Sequence, residues 1–431
     1  MHPTSILRRY SAPSIAAIAA IAAIAAIAAA SIVALAACGS PSKAASGSGS
    51  SGSSGGSGGS GGTTAAAAVT GSPIKVGLVY SETGPLAGYG KDYYEGFLAG
   101  LDYATHGTDT VNGHKIEVVQ KDDAGDATKA VSAAKDLIGQ GYHILAGSTA
   151  SGVALQVAPL AAQNKVLFIS GPAATDGVTG INKYTFRSGR QTYQDIATAA
   201  SFVGDLTGRH VTVLAQDSAF GQANVAAVKA VLGAKGAKVD AVLAPPSATD
   251  LTPFATQAKD AKPDLLFVAW AGTTAQALWT ALSQQGVLSS TVTVTGLDVR
   301  ASYPVFASTG GKVSFLAHYV PGGTSNDAAK ALDAYLAKKG EQSDLFSPDG
   351  FTAAQMVVHA ADNGDADVDA MVKNLEGYSF DGVKGGYTIR AADHALLQPM
   401  FQAKLDGTTP SVVKTLDAND VAPPAKSFPA S

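Results

Sequence analysis

Short apolar runs alternate along this chain with stretches in which apolar positions recur every three or four residues. The run Ile74–Tyr80 is interrupted only by Lys75 and Gly77, the pattern of a strand covered on both faces. Tyr94, Phe97, Leu98 and Leu101 then fall at i, i+3, i+4 and i+7, which predicts one face of a helix. Asn112-Gly113 predicts a hairpin turn into a strand at 116–120. Asp126 is placed to cap a helix reaching about Gln140, and a strand at 143–146, a helix at 151–164 and a strand at 166–170 follow. Beyond Arg190 the rhythm restarts. Strands at 211–215, 239–243, 265–269 and 292–295 alternate with helices at 219–235, 251–261 (capped by Asp250) and 273–285. A segment at 312–319 reads as a crossover back toward the first unit, helices at 328–339 and 350–362 follow, and a β-rich tail at 386–390 and 400–404 reads as a return to the second. The expected fold class is α/β: two doubly wound lobes joined by a hinge, with a cleft between them. The expected boundaries are 73–190 plus 321–383 for the first lobe and 191–320 plus 384–431 for the second.

The N-terminal part reads differently. Arg8 and Arg9 precede an apolar stretch that begins near Ser14 and closes on Leu35-Ala36-Ala37-Cys38. A cationic head, an apolar body and small residues are the order of a secretory signal, here residues 1–37. The Leu-Ala-Ala-Cys ending resembles a bacterial lipobox, in which the cysteine is lipidated and becomes the mature N-terminus. Cys38 is the single cysteine of the chain. Residues 38–72, densest in Gly and Ser at 46–62, form a linker with nothing to bury. The expected location is extracytoplasmic, with the protein held to the cell membrane by lipid on Cys38.

Composition narrows the chemistry. The formal charge is −4, and without residues 1–37, which hold two arginines and no acid, it becomes −6. No basic stripe is available to a nucleic-acid backbone, so no nucleic-acid partner is expected. After Cys38 no apolar run reaches the roughly 18 residues of a membrane helix. With Cys38 acylated no thiol remains for a disulfide, so the fold rests on its core, and a monomer is expected.

Candidate catalytic and metal motifs fail on inspection. In Gly84–Asp92, Pro85 stands where a phosphate loop needs glycine and Asp92 where it needs Ser or Thr. Asp365, Asp367, Asp369 and Glu376 match calcium-loop positions, but Ala370 replaces the required glycine. The stripe Val368, Met371, Val372 and Leu375 instead predicts a helix with acids in its first turn. Gly147–Gly152 does not give the Gly-x-Ser-x-Gly turn of a hydrolase, and the histidines lack metal-ligand spacing. No enzyme activity, cofactor or metal is expected. What remains is a set of polar turns at predicted strand C-termini: Ser81-Glu82-Thr83, Ser148-Thr149, Ser170 to Thr175, Gln216-Asp217 and Leu297-Asp298. In doubly wound lobes these face one crevice, a place for a small polar molecule.

The stretch Ile74–Gly90 resembles the opening of the leucine/isoleucine/valine-binding proteins, type I periplasmic solute-binding components of branched-chain amino acid ABC transporters. The likeness continues through Lys121-Asp122-Asp123, Gly147-Ser148-Thr149, Ile169–Thr175, Asp217–Gly221, Asp349–Ala354 and Phe380-Asp381-Gly382. The resemblance implies a ligand carboxylate against Ser148, Thr149 and the backbone of Ala173, Ala174 and Thr175. It implies Asp298 against an α-ammonium group and Tyr89 over the ligand side chain. Phe220, Trp270 and Phe351 align with positions often occupied by tyrosine, which makes the implied pocket more apolar. The implied ligand is an apolar or aromatic amino acid or a related carboxylate, captured by lobe closure and delivered to an ABC permease. A sensor that uses the same fold to report to a membrane signalling partner is the alternative.

Overall fold

A computed structural model describes residues 69–429. The signal, Cys38 and all of the linker before Val69 lie outside the described residues. At the linker's end, the Thr70 and Gly71 backbone N–H groups both donate to the Gly113 carbonyl.

The first sheet holds β1 (Ile74–Tyr80), β2 (Thr110–Val111), β3 (His114–Asp122), β4 (Ile144–Gly147), β5 (Leu167–Ser170) and β6 (Thr185–Arg187), in the order β2-β3-β1-β4-β5-β6. All but β2 run parallel. The β2–β3 turn uses Asn112 and Gly113, both at positive φ (45° and 86°), as a tight two-residue hairpin requires. Helices α1 (Ala87–Ala104), α2 (Ala127–Gly139) and α3 (Ser151–Asn164) follow β1, β3 and β4. Asp126 caps α2 by accepting from the Thr128 and Lys129 N–H groups.

After α4 (Thr192–Ala200) comes the second sheet, with β7 (His210–Gln216), β8 (Lys238–Ala244), β9 (Leu265–Ala269), β10 (Val292–Gly296) and β11 (Val313–Ala317). Helices α5 (Ala219–Val231), α6 (Thr252–Asp260), α7 (Ala275–Gln284), α8 (Val287–Ser290) and α9 (Tyr303–Ala307) intervene. Along β7 and β9 alternate residues enter different cores: Leu214, Leu266 and Val268 in one, Val213, Leu265 and Phe267 in the other. Helices therefore cover both faces of this sheet, the doubly wound arrangement.

Two segments differ from the sequence expectation. Val313–Ala317 is not itself a crossover but the last parallel strand of the second sheet, paired with β10. The chain crosses back after it to α10 (Asp327–Ala337), α11 (Ser347–Ala360), α12 (Val368–Leu375) and a small sheet of β12 (Ser379–Gly382), β13 (Gly385–Ile389) and β14 (Leu396–Leu397). Tyr387 and Ile389 of β13 sit in the first core, so this strand stays with the first sheet. The return begins at β15 (Met400–Asp406), which pairs antiparallel with β11, and β16 (Thr409–Leu416) completes the sheet. The chain thus passes between the two sheets three times.

The buried face of α1 also differs. Tyr93, Gly96, Phe97, Gly100 and Leu101 are buried, while Tyr94 and Leu98 are only partly so. The reason is a glycine seam against α11. A Cβ on Gly96 would lie 2.0 Å from the Ser347 carbonyl oxygen, one on Gly100 2.4 Å from that of Phe351, and one on Gly350 1.9 Å from that of Tyr93. The acidic stretch near 365–376 folds as α12, with Asp367 capping the Ala370 N–H and Val368, Met371, Val372 and Leu375 buried.

Candidate ligand-binding cleft

The C-terminal ends of β4, β5, β7, β9, β10 and β11 converge on a cavity of about 560 Å³. From the first sheet come Leu86 and Tyr89 of the β1–α1 segment, Thr149 to Gly152 at the start of α3, and Pro172 and Ala174 beyond β5. From the second come Gln216, Phe220, Trp270, Asp298 and His318, with Arg190 and Phe346 from the segments that join the two. Strand ends open outward because the helices that follow turn away, leaving main-chain N–H groups at the crevice.

Helix α3 begins at this wall without a side-chain cap, so its first N–H groups and its dipole are available to an anion. The opposite wall is aromatic. Trp270 is oriented by a bond from Nε1 to Thr274 Oγ1 at 2.9 Å, and Phe220 follows the Ser218 cap of α5. Phe346 is a hub: its ring centroid lies 4.8 Å from that of Tyr89, 5.1 Å from that of His318 and 5.6 Å from Arg190 Cζ.

Tyr89 links the two sides. Its hydroxyl donates to Asp298 Oδ1 at 2.8 Å and accepts from the Gly272 N–H at 3.1 Å. Asp298 also accepts from the Val299 N–H at 2.8 Å and Ser302 Oγ at 3.0 Å. Burial raises the Asp298 carboxyl above its ordinary value despite these donors, and raises the Tyr89 hydroxyl further. His318 is held well below the usual histidine value, first by burial and then by the positive charge of Arg190, so its ring is neutral at pH 7.

Beneath the cavity, Arg187 is fully buried and ties together the loop that carries Arg190. It donates to the carbonyls of Ala173 (2.7 Å), Thr175 (3.2 Å), Gly189 (3.2 Å) and Arg190 (2.9 Å), and to Thr179 Oγ1 (2.9 Å). Arg190 donates from Nη1 to the Pro172 carbonyl at 2.9 Å and pairs through Nε with Asp195 at 3.3 Å.

Of the residues expected at a site, Tyr89, Thr149, Ala174, Phe220, Trp270 and Asp298 line this cavity together. Ser148, Ala173, Thr175 and Phe351 do not. Ser148, at φ 68°, is buried below it and its Oγ meets Ser170 Oγ at 3.0 Å. The carbonyls of Ala173 and Thr175 are taken by Arg187. Phe351 sits in the α1–α11 seam, its ring 5.2 Å from that of Tyr103. Sequence reasoning missed Arg190, His318 and Phe346. For Arg190 a signal existed: Lys183, Arg187 and Arg190 fall in a stretch with no acid between Asp176 and Asp195.

A family model described as periplasmic binding protein matches residues 73–410. The chain belongs to that family. This periplasmic binding protein is similar to an ABC-type branched-chain amino acid transporter from Rhodopseudomonas palustris, with 31% identity over 83% of this chain and 100% of that one, at a TM-score of 0.69. A solute-binding protein of an ABC transporter from another strain of R. palustris, solved in complex with 3,4-dihydroxybenzoic acid, is 26% identical over 80% of this chain and 98% of its own, at a TM-score of 0.70. The Leu/Ile/Val-binding protein BraC3 of Rhizobium johnstonii is 28% identical over 208 residues, 47% of this chain, and the match spans only 56% of that protein. These relatives are solute-binding rather than catalytic proteins, and the family works outside the cytoplasm.

Proposed function

We propose that this protein captures a small carboxylate-bearing molecule, an apolar or aromatic amino acid or a related acid, and delivers it to an ABC permease. The observation that carries the reading is the uncapped N-terminus of α3 opening onto a cavity whose far wall holds Phe220 and Trp270. The carboxylate takes the N–H groups near Thr149, Ser151 and Ala174, where the helix dipole favours negative charge. The apolar body packs against the aromatic wall and Leu86. Because the two walls belong to different sheets, a ligand that touches both favours closure. Moving the population from 1:99 to 99:1 needs about 5.5 kcal/mol of differential binding. The closed form, acting as a monomer, is what the permease reads.

Tethering belongs to the same proposal: residues 1–37 are removed, Cys38 is acylated, and the linker at 38–72 lets the body reach a neighbouring permease. The test is calorimetric titration of the ligand-stripped mature protein with a panel of amino acids, organic acids and sugars. Binding confined to the acids and amino acids supports the reading, and binding confined to sugars ends it. For the tether, Cys38→Ser is expected to move the protein from the detergent phase to the aqueous phase on phase separation.

A further inference from the structure

Hydrogen-bonding capacity on the cavity wall is used unevenly. The acceptors are largely taken by the protein itself or closed off. Asp195, the second carboxylate on the wall, faces Arg190 Nε through Oδ2 at 3.3 Å, and its Oδ1 has no hydrogen-bond partner among the described residues but is shut away from solvent. Asp298, with its three donors Tyr89, Val299 and Ser302, keeps about one of the four lone-pair sites of a carboxylate. The Pro172 carbonyl accepts from Arg190 Nη1 at 2.9 Å. The Ala174 carbonyl accepts from Thr192 twice, from N at 2.8 Å and Oγ1 at 2.9 Å. The Leu345 carbonyl pairs with His318 Nε2 at 3.0 Å, and Thr149 Oγ1 accepts from the Ser81 N–H at 3.1 Å.

Donors at two places stay free, the start of α3 and Arg190. The start of α3 has no side-chain cap. The Arg190 side chain is only 9% exposed, lines the cavity, and has no hydrogen bond from Nη2 among the described residues. An α-ammonium group carries three donors and a positive charge, so it needs acceptors and a counter-ion free to meet it. Here it would meet a guanidinium, helix N–H groups and two carboxylates already engaged, Asp298 by its three donors and Asp195 by Arg190. An acid without an amino group meets what it needs: donors for its carboxylate and an apolar wall for its body. His318 adds one fitting detail. With Nε2 turned to Leu345, the neutral ring leaves Nδ1 as a single acceptor, suited to a ligand hydroxyl.

We infer that the ligand is a carboxylic acid lacking an α-ammonium group, with an apolar or aromatic body. Arg190 is then a specificity-determining residue, and Asp298 serves the contact between the lobes rather than an amine. The inference rests on the carboxylate reading above and narrows it.

The experiment is calorimetry on the ligand-stripped mature protein with matched pairs: 3-phenylpropanoate and L-phenylalanine, 4-methylpentanoate and L-leucine, 4-hydroxyphenylacetate and 4-hydroxyphenylglycine. The acid without the amino group is expected to bind at least about tenfold tighter in every pair that binds, the scale of leaving buried donors and a charge unmatched. An amino acid binding as tightly as its partner, or tighter, overturns the inference and leaves the carboxylate reading standing. Silence from all six ligands ends the carboxylate reading and the inference with it. Arg190→Gln is expected to shrink the preference within a binding pair by about fivefold or more. That ratio is insensitive to a partial loss of folded protein, and an unchanged ratio removes Arg190 from the account.

Discussion

The Tyr89 hydroxyl and the Asp298 carboxylate meet at 2.8 Å across the cleft, one carried by α1 of the first unit and the other by the turn beyond β10 of the second. The same hydroxyl takes the Gly272 N–H, so one oxygen fastens two points of the opposite wall. Tyr89→Phe keeps the ring against Phe346 and deletes both bonds. Leaving such groups without a partner costs about 1–3 kcal/mol, charged to the closed form alone. At ligand saturation the variant is expected to have a larger radius of gyration than the unsubstituted protein by small-angle scattering. Equal radii would contradict a fastening role.

Trp270 and Trp279 are the two tryptophans of the chain, and they have different surroundings. Trp279 is buried with its ring edge-on to Phe306, while Trp270 lines the cavity. Ligand is therefore expected to change the intrinsic fluorescence through Trp270. Trp270→Phe should abolish that change and weaken binding by about tenfold through lost aromatic contact. A ligand-induced signal that survives the substitution would place the ligand elsewhere.

Asp92 of α1 supplies a pH test. Burial, and after it the nearby charge of Asp344, raises its carboxyl to about 8, and its buried Oδ2 has no hydrogen-bond partner. The folded chain holds a proton that the unfolded chain releases near pH 4. The stability this group contributes is complete below that value and is lost as pH rises through 8. Asp92→Asn mimics the protonated form. Its melting temperature should exceed that of the unsubstituted protein at about pH 8.5 and match it near pH 4.5, read by thermal melts at both. A variant that melts lower at high pH would reverse the sign and refute the assignment.

The glycine seam gives a stability contrast. Gly350→Ala places a methyl 1.9 Å from the Tyr93 carbonyl oxygen and 2.6 Å from the Phe97 nitrogen, both backbone atoms, so α1 and α11 must part. A loss of about 3 kcal/mol is expected, several degrees in melting temperature for a domain of this size. Gly88→Ala, on α1 with nothing within 4 Å, should be neutral or slightly stabilising. Similar melts for the two would show that the seam is not close-packed.

The parts of this fold legible in the sequence are those with a local cause. The α12 stripe, the Asp126 cap and the apolar run of β1 are set by residues next to one another, and the structure has them as expected. The face of α1 was misjudged because Gly96 and Gly100 add nothing to a hydrophobic pattern yet govern how closely α11 approaches. Strand β6, three residues long, and α4, with Thr192, Gln194 and Asp195 buried, give too little periodicity to detect. At the cavity, Tyr89, Thr149 and Asp298 follow recognisable strand ends. Arg190 and Phe346 lie on the connecting segments and His318 just beyond β11, and only the assembled fold brings the three to one wall.

The hairpin at 400–416 lies beside β11, whose partner on the other side, β10, is the strand that directly precedes it in the chain. Until those last strands leave the ribosome, β11 presents a bare row of N–H and C=O groups. Completion of the second sheet therefore waits for the intervening α10, α11, α12 and β12 to β14 to be made first. Any premature stop upstream of Met400 releases a product with a sticky edge, prone to self-association rather than merely short of a tail.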